Sequence, residues 1–209
     1  MSVADVRRQY RGEPFAEATA AADPFEQFAR WFEQARAVEA DPTAMTLATA
    51  TGDGRPSARM VLLKGVDARG FVFYTNYDSR KAQEIDATHH AALLFYWASL
   101  DRQVRVDGAI ARVSDAESDA YFASRPLESR WSAHASPQSR PIDSRESLEA
   151  AVARVRAEFG EVVPRPAGWG GFRVTPDAFE FWQGRENRLH DRLAYARDAG
   201  SWRRARLAP

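Results

Sequence analysis

Apolar positions recur along this chain with two different periods, and the change of period divides it. Over "DPFEQFARWFEQARAV" the residues Phe25, Phe28, Phe32 and Ala35 fall at helical spacing, which predicts an amphipathic helix. Asp23 is placed to cap it, Pro24 suits its first turn, and Glu26 stands where a capping box would put it. Residues 1–22 lack any period, and their "AEATAAA" predicts a mobile arm, or lid, ahead of a single domain at 23–209. From residue 43 the texture turns to short β-rich runs, "TAMTLATA", "SARMVLLKG", "GFVFYTN", "AALLFYW" and "QVRVDGAIARV", broken by "TGDGRP", "DARG" and "SLD". This predicts an antiparallel meander. Helices are expected at 114–124, with Ser114 and Glu117 as a capping pair, and at 144–159, on Leu148, Val152, Val155 and Phe159. After "VPRPAGWGG" strands resume at "FRV", "AFEFWQG", "NRLHDRLAY" and "SWRRARL". About eight or nine strands without strand–helix alternation predict a mainly β fold with flanking helices, a closed or split barrel.

Composition narrows the function classes. With 44% hydrophobic and 11% aromatic residues, the 209-residue chain has ample apolar material for one core. Its 29 basic and 29 acidic residues cancel, so no bulk field draws it to nucleic acid or an anionic membrane, and any work done by cations is local. There is no cysteine, which removes disulfides, thiolate metal sites and cysteine nucleophiles. "MSVADVRRQYRGEP" has no apolar signal core and no segment reaches the ~18 apolar residues of a membrane span, so a cytoplasmic protein is expected. His89, His90, His134 and His190 lack metal-ligand spacing, and His89 and His90 would face opposite sides of a strand; no metal is expected. "GDGRPS" reads as a turn, and nothing supports a dinucleotide fold.

Basic residues inside the β-rich segments are more informative, because a cation among apolar neighbours is costly unless an anion meets it. Arg59 and Lys64 bracket "MVLL", Arg80 and Lys81 open the helix-like "SRKAQEI", Arg125 ends "YFASRP", and Arg188 and Arg192 flank His190. Any one of these taken singly is explained by a solvated charge or an ordinary ion pair. Their recurrence points to anion contacts, and a phosphate at the start of "SRKAQEI" would gain free backbone amides as well. Tyr74, Trp97, Trp169 and Trp182 could sandwich a flat ring, although aromatic residues in a barrel are more often core.

The pentapeptide "RLHDR" at 188–192 offers a His–Asp acid–base pair or a grip on an anion. In a strand, Arg188, His190 and Arg192 would share one face, and Leu189 and Asp191 the other. Asp191 would then be badly placed to orient His190, which favours a donor-rich face aimed at an anionic or electron-rich ligand.

Taken in order, "DPTAMTLAT", "RMVLLKG", "GFVFYTNYDSRKAQEI", "LLFYW", "RQVRVDG", "YFASRP", "ASPQS", "WGGFRV", "FEFWQG", "RLHDR" and "RLAP" resemble the FMN-dependent pyridoxine (pyridoxamine) 5′-phosphate oxidase family. No single stretch is decisive; the ordered set is specific and covers most of the chain. The resemblance implies a split β-barrel homodimer with flavin sites at the subunit interface. It implies oxidation of pyridoxine 5′-phosphate and pyridoxamine 5′-phosphate at C4′ to pyridoxal 5′-phosphate, with O2 as acceptor giving H2O2 and, from the amine, ammonia. Implied FMN contacts are Arg59, Met60, Val61, Leu62, Leu63, Lys64, Tyr74, Thr75, Arg80, Lys81, Gln103, Gln138, Ser139, Trp182 and Arg192. Lys64, Tyr121, Arg125 and Ser129 would cradle the substrate phosphate. Arg188 and His190 would lie over the substrate ring as the catalytic pair, with Arg7 and Tyr10 of "RRQY" folded across it. Two dianionic phosphates in one pocket need several cations between them, which these sets supply. The cofactor would carry the hard chemistry, leaving Arg188 and His190 to orient the substrate and stabilise charge near its reacting carbon.

The chain departs from the family pattern at Ser132, Ala133 and His134, where Gly-Ala-Trp is common, and in "FAEATAAAD", which lacks the usual basic residues. These bear on the contact from Ser129 and on the lid. Two other readings stay open: a related split-barrel flavin oxidase on another aromatic substrate, and a flavin-binding protein without turnover. Flavin binding alone would not need Lys64, Tyr121, Arg125, Arg188 and His190.

Overall fold

Helix α1 (Pro24–Arg36) forms where the apolar period predicts it, and Asp23 caps it by accepting the Phe25 N–H at 2.7 Å. The expected capping box does not form, because Glu26 turns outward to pair with Arg30 at 2.6 Å, one turn on. Phe28, Trp31 and Ala35 carry its buried face. The computed structural model describes residue 5 and residues 8–209.

The strands are β1 (Ala44–Ala50), β2 (Pro56–Leu62), β3 (Gly65–Asp67), β4 (Gly70–Asn76), β5 (His90–Trp97), β6 (Arg102–Arg112), β7 (Trp169–Gln183), β8 (Asp191–Asp198) and β9 (Ser201–Leu207). They form one antiparallel sheet in the order β2-β1-β5-β6-β7-β4-β3, which β8 and β9 join through β7. Leu63 and Lys64 link β2 directly to β3, so the two ends of that order are held together and the sheet curls on itself.

Strand β7 decides the shape. Its first half pairs with β4, from Asn76↔Trp169 to Phe71↔Val174, and its second half with β8, from Ala178↔Ala196 to Gln183↔Asp191. Along its other edge runs β6, with a register shift between Asp107 and Gly108 that lets the pair bend. A side-chain carbon at Gly108 would lie 2.1 Å from the Thr175 carbonyl oxygen, so only glycine fits that bend. One strand thus feeds two diverging branches, and the fold is a split barrel.

Phe28 packs edge-on against Phe71 and Phe95 inside it, with ring centroids 4.8 and 5.1 Å apart. Trp97, a candidate ring clamp from the sequence, is core: it is 1% exposed and its indole N–H donates to Pro42 O at 3.1 Å. Residues 8–22 run along the barrel, with Phe15 buried on Trp31, the Tyr195 hydroxyl donating to Ala21 O, and Arg206 paired with Glu17.

Helices α2 (Arg80–Thr88), α3 (Asp115–Ser124), α4 (Leu127–Ala135) and α5 (Arg145–Phe159) flank the sheet. The sequence presents α4 as a loop; only Trp131 is buried on it, so it has no apolar period to read. His89 ends α2 in the left-handed region, at φ 54°, so His89 and His90 are not consecutive strand residues as their spacing suggests. Ser114 and Glu117 cap α3 reciprocally. Ser114→Ala should therefore cost about 1 kcal/mol, read by urea unfolding; no loss would mean that packing of Phe122 alone holds the helix.

Candidate functional site

The end of β2, strand β4, the start of α2 and the α3–α4 corner enclose a cavity of about 430 Å³. Met60, Val61, Leu62, Lys64, Tyr74, Thr75, Lys81, Tyr121, Arg125, Ser129 and Gln138 all line it. Leu63 does not: strand alternation turns it into the core, where it is 5% exposed, and only its backbone could meet a ligand.

Arg125 follows the last turn of α3 and lies over the Trp169 ring, 4.6 Å from its centroid. Its Nη1 is buried without a hydrogen-bond partner among the described residues, and burial lowers the pKa of the guanidinium. An unsatisfied buried donor costs about 1–3 kcal/mol, more when charged, so an anion from outside the chain is the natural partner. Tyr121 stacks on Tyr74 at 3.9 Å, and Tyr74 lies parallel to Trp169 at 5.6 Å. Tyr74 and Trp169, read as ring clamps, thus stack in one wall of the cavity. Arg165 ties that wall together by donating to Trp169 O and pairing with Asp115 and Asp119 of α3.

A second cation set lies at the head of α2. Its N-cap, Ser79, makes no side-chain cap bond and donates instead to Asn76 O at 2.7 Å. Among the described residues Lys81 Nζ reaches only neutral oxygens, Thr75 Oγ1 at 3.2 Å, Ser79 Oγ at 3.3 Å and Gln138 Oε1 at 2.9 Å. Ser139 follows Gln138 in an exposed turn with φ 72°. Desolvation and the charge of Arg59 push Lys81 down to about 8 from 10.5. At Lys81 the unfolded chain therefore binds more protons between those two values, and this residue's contribution to the stability of the ligand-free protein rises with pH across that window. A phosphate beside Lys81 favours the charged amine, so affinity for a phosphorylated ligand should fall as pH rises through about 8. Equal affinity on both sides of that pH, by titration, would exclude Lys81 from the contact.

The remaining sequence candidates occupy a different surface. "NRLHDRLAY" is not one strand: Glu186–Arg188 form a short 3-10 turn and β8 begins at Asp191. Asn187 and Arg188 are both left-handed, at φ 55° and 62°, so Arg188, His190 and Arg192 do not alternate along a strand. Asp191 is nonetheless engaged away from the His190 ring. Asp191 accepts the Phe15 N–H at 3.1 Å and pairs with Arg206 at 2.8 Å, whereas His190 Nδ1 accepts the Arg185 N–H at 3.0 Å. An amide can only donate, so the neutral His190 ring carries its proton on Nε2. Desolvation and the charge of Arg188 lower its pKa and favour that neutral form.

Tyr10 meets Trp182 and His190 edge-on, at 5.3 and 5.4 Å, and Trp182 lies 4.6 Å from His190. Arg7 lies outside the described residues. Gln103, Trp182 and Arg192 are direct cross-strand neighbours on one sheet face. Arg192 is engaged by Glu180 at 2.8 and 3.0 Å and donates to Ala208 O. None of Gln103, Trp182, Arg188, His190 or Arg192 lines the cavity at Arg125, so the sequence candidates fall on two separate surfaces. Sequence reasoning missed Glu84, a buried carboxylate between Arg59 and Arg80. Its only sequence signal is the spacing of four residues from Arg80.

Fold and site together define a class: a split-barrel protein whose cleft gathers cations and stacked rings suited to phosphorylated, flat ligands. The family described as pyridoxamine 5′-phosphate oxidase matches residues 32–159, and the pyridoxine 5′-phosphate oxidase C-terminal dimerisation region matches residues 169–209. The chain belongs to the pyridoxamine 5′-phosphate oxidase family. A pyridoxine/pyridoxamine 5′-phosphate oxidase of Rubrobacter xylanophilus is 60% identical over 99% of this chain and 96% of its own. Its counterpart in Burkholderia vietnamiensis is 57% identical over 100% and 99%. Among solved structures, PhzG from Burkholderia lata, bound to tetrahydrophenazine-1-carboxylic acid, superposes with a TM-score of 0.90 at 34% identity, covering 95% of this chain and 99% of that one.

Proposed function

We propose that this chain is an FMN-dependent oxidase converting pyridoxine 5′-phosphate and pyridoxamine 5′-phosphate to pyridoxal 5′-phosphate in cytoplasmic vitamin B6 metabolism. O2 is the electron acceptor, giving H2O2, and the amine substrate releases ammonia. The observation that carries this reading is Arg125, which lines the cavity with Lys64, Tyr121 and Ser129 and whose buried Nη1 has no hydrogen-bond partner among the described residues. A phosphate monoester supplies the missing acceptors.

The residues at α2 fit the phosphate of FMN: Lys81 has only neutral oxygen partners, and the helix start lacks a side-chain cap. Arg59, Met60 to Lys64, Tyr74, Thr75, Arg80, Lys81, Gln138 and Ser139 would hold the cofactor from one subunit, and Gln103, Trp182 and Arg192 from the other. When bound, FMN would supply the hydride acceptor for the substrate carbon. Lys64, Tyr121, Arg125 and Ser129 hold the substrate phosphate, while Tyr10 and Trp182 exclude water over the ring. His190 donates from Nε2 and Arg188 supplies positive charge near the reacting carbon.

A homodimer follows from the same reading, because the two surfaces need a second copy to meet. Met60 and Tyr96, 61% and 48% exposed, extend the sheet face of Gln103 and Trp182 with apolar surface that a partner would cover.

The test adds pyridoxamine 5′-phosphate anaerobically to the FMN-loaded protein and follows flavin bleaching, then pyridoxal 5′-phosphate and H2O2 in air. Bound FMN without bleaching by either B6 phosphate would overturn the reading. The likeness to PhzG favours one alternative, oxidation of another aromatic substrate. Turnover of a carboxylated, unphosphorylated ring in preference to both B6 phosphates would select it.

A further inference from the structure

We propose that Glu84 is a positioning residue that aims the guanidinium of Arg80 at the cofactor phosphate, with Arg59 as its strut. This rests on the flavin reading above and assigns different work to two arginines that the sequence treats alike. The Glu84 side chain is 3% exposed, and its carboxylate is shared by four donors. Thr49 Oγ1 and Ser57 Oγ donate to it at 2.5 Å, Arg59 Nη2 at 3.1 Å, and Arg80 Nε at 2.8 Å.

The donors of the two arginines are spent differently. Arg59 Nη1 donates to Leu47 O and Thr49 Oγ1, and its Nη2 to Ser57 Oγ and Glu84. All four terminal N–H groups are thereby used inside the protein, and only Nε remains for a ligand. Arg80 commits Nε to Glu84 and, among the described residues, keeps both terminal nitrogens, on a side chain 63% exposed. A guanidinium anchored at Nε presents its Nη pair as a fixed fork, the geometry that meets two phosphate oxygens. Lys81 stands one residue away with neutral partners only, so the carboxylate also offsets repulsion among three neighbouring cations.

Two effects of removing the charge oppose each other. A neutral residue at 84 leaves the site more positive, which attracts phosphate at longer range. It also frees the long, exposed Arg80 side chain, whose rotamer entropy must then be lost on binding. Orientation wins here, because the gained attraction acts through solvent beside an exposed guanidinium and is screened.

The experiment compares FMN with riboflavin, the same ring without phosphate, on full-length wild-type protein and Glu84→Gln. We expect FMN to bind about tenfold more weakly to the variant and riboflavin to bind unchanged, a selective loss that a general packing defect would not produce. Equal losses for both ligands, or FMN binding that is unchanged or tighter, would overturn the proposal. Wild-type protein that binds neither ligand would overturn the flavin reading itself. Should Glu84→Gln not fold, Arg80→Lys carries the test from an exposed position: it keeps the charge and removes the fork. The same selective loss of FMN is expected, and its absence would sink the idea.

Discussion

Arg188→Ala should lower kcat/KM for pyridoxamine 5′-phosphate by about 100-fold while the flavin stays bound, the equivalent of about 2.7 kcal/mol of transition-state stabilisation. Arg188 sits at φ 62°, next to Asn187 at φ 55°; asparagine tolerates this left-handed region, whereas for an arginine it costs about 1–3 kcal/mol. Such strain persists only where the surrounding structure holds it, and here it sets the Arg188 side chain beside His190. The charge of Arg188 already contributes to lowering the His190 pKa. Removing it should therefore raise that pKa, followed by NMR of the ring protons, and this second readout is independent of turnover. Normal turnover in a flavin-loaded variant would exclude Arg188 from the reaction.

Arg125→Met should raise KM for either B6 phosphate by about 100-fold, since hydrogen bonds from a charged group contribute about 1.5–3 kcal/mol each. The same substitution should leave the ligand-free protein as stable as before, or more so. Arg125 Nη1 has no partner among the described residues, and replacing a poorly satisfied, half-buried charge by an apolar side chain of similar length is often neutral or stabilising. Methionine can also keep the contact with the Trp169 ring that Arg125 makes at 4.6 Å. Opposite signs for binding and stability distinguish a ligand-facing cation from a strut. Lost stability with unchanged KM would make Arg125 a strut.

Much of the fold was legible because its signals are local. Asp23, Pro24 and the run from Phe25 to Ala35 place α1, and Ser114 with Glu117 places the start of α3. Of the cations singled out in the sequence, Lys64, Lys81 and Arg125 line one cavity, whereas Arg59, Arg80, Arg188 and Arg192 do not. Helix α4 was not legible, because one buried tryptophan leaves no period. Nor was the break at Arg188: Asn187 tolerates the left-handed region, but a lone asparagine is a weak turn signal and Arg188 beside it gives none.

The sequence by itself determined most of the strands and helices, the caps at Asp23 and Ser114, and which residue types were available to meet an anion. Only the tertiary structure decided that β7 serves two sheet branches, that Arg59 spends its terminal donors inside the protein while Arg80 keeps its own, and that the candidates divide between two surfaces. Alternation and capping act over a few residues and can be read along the chain. Register acts across it: Tyr96, Gln103, Trp182 and Arg192 become neighbours only when three strand pairings align, and no local pattern encodes those pairings.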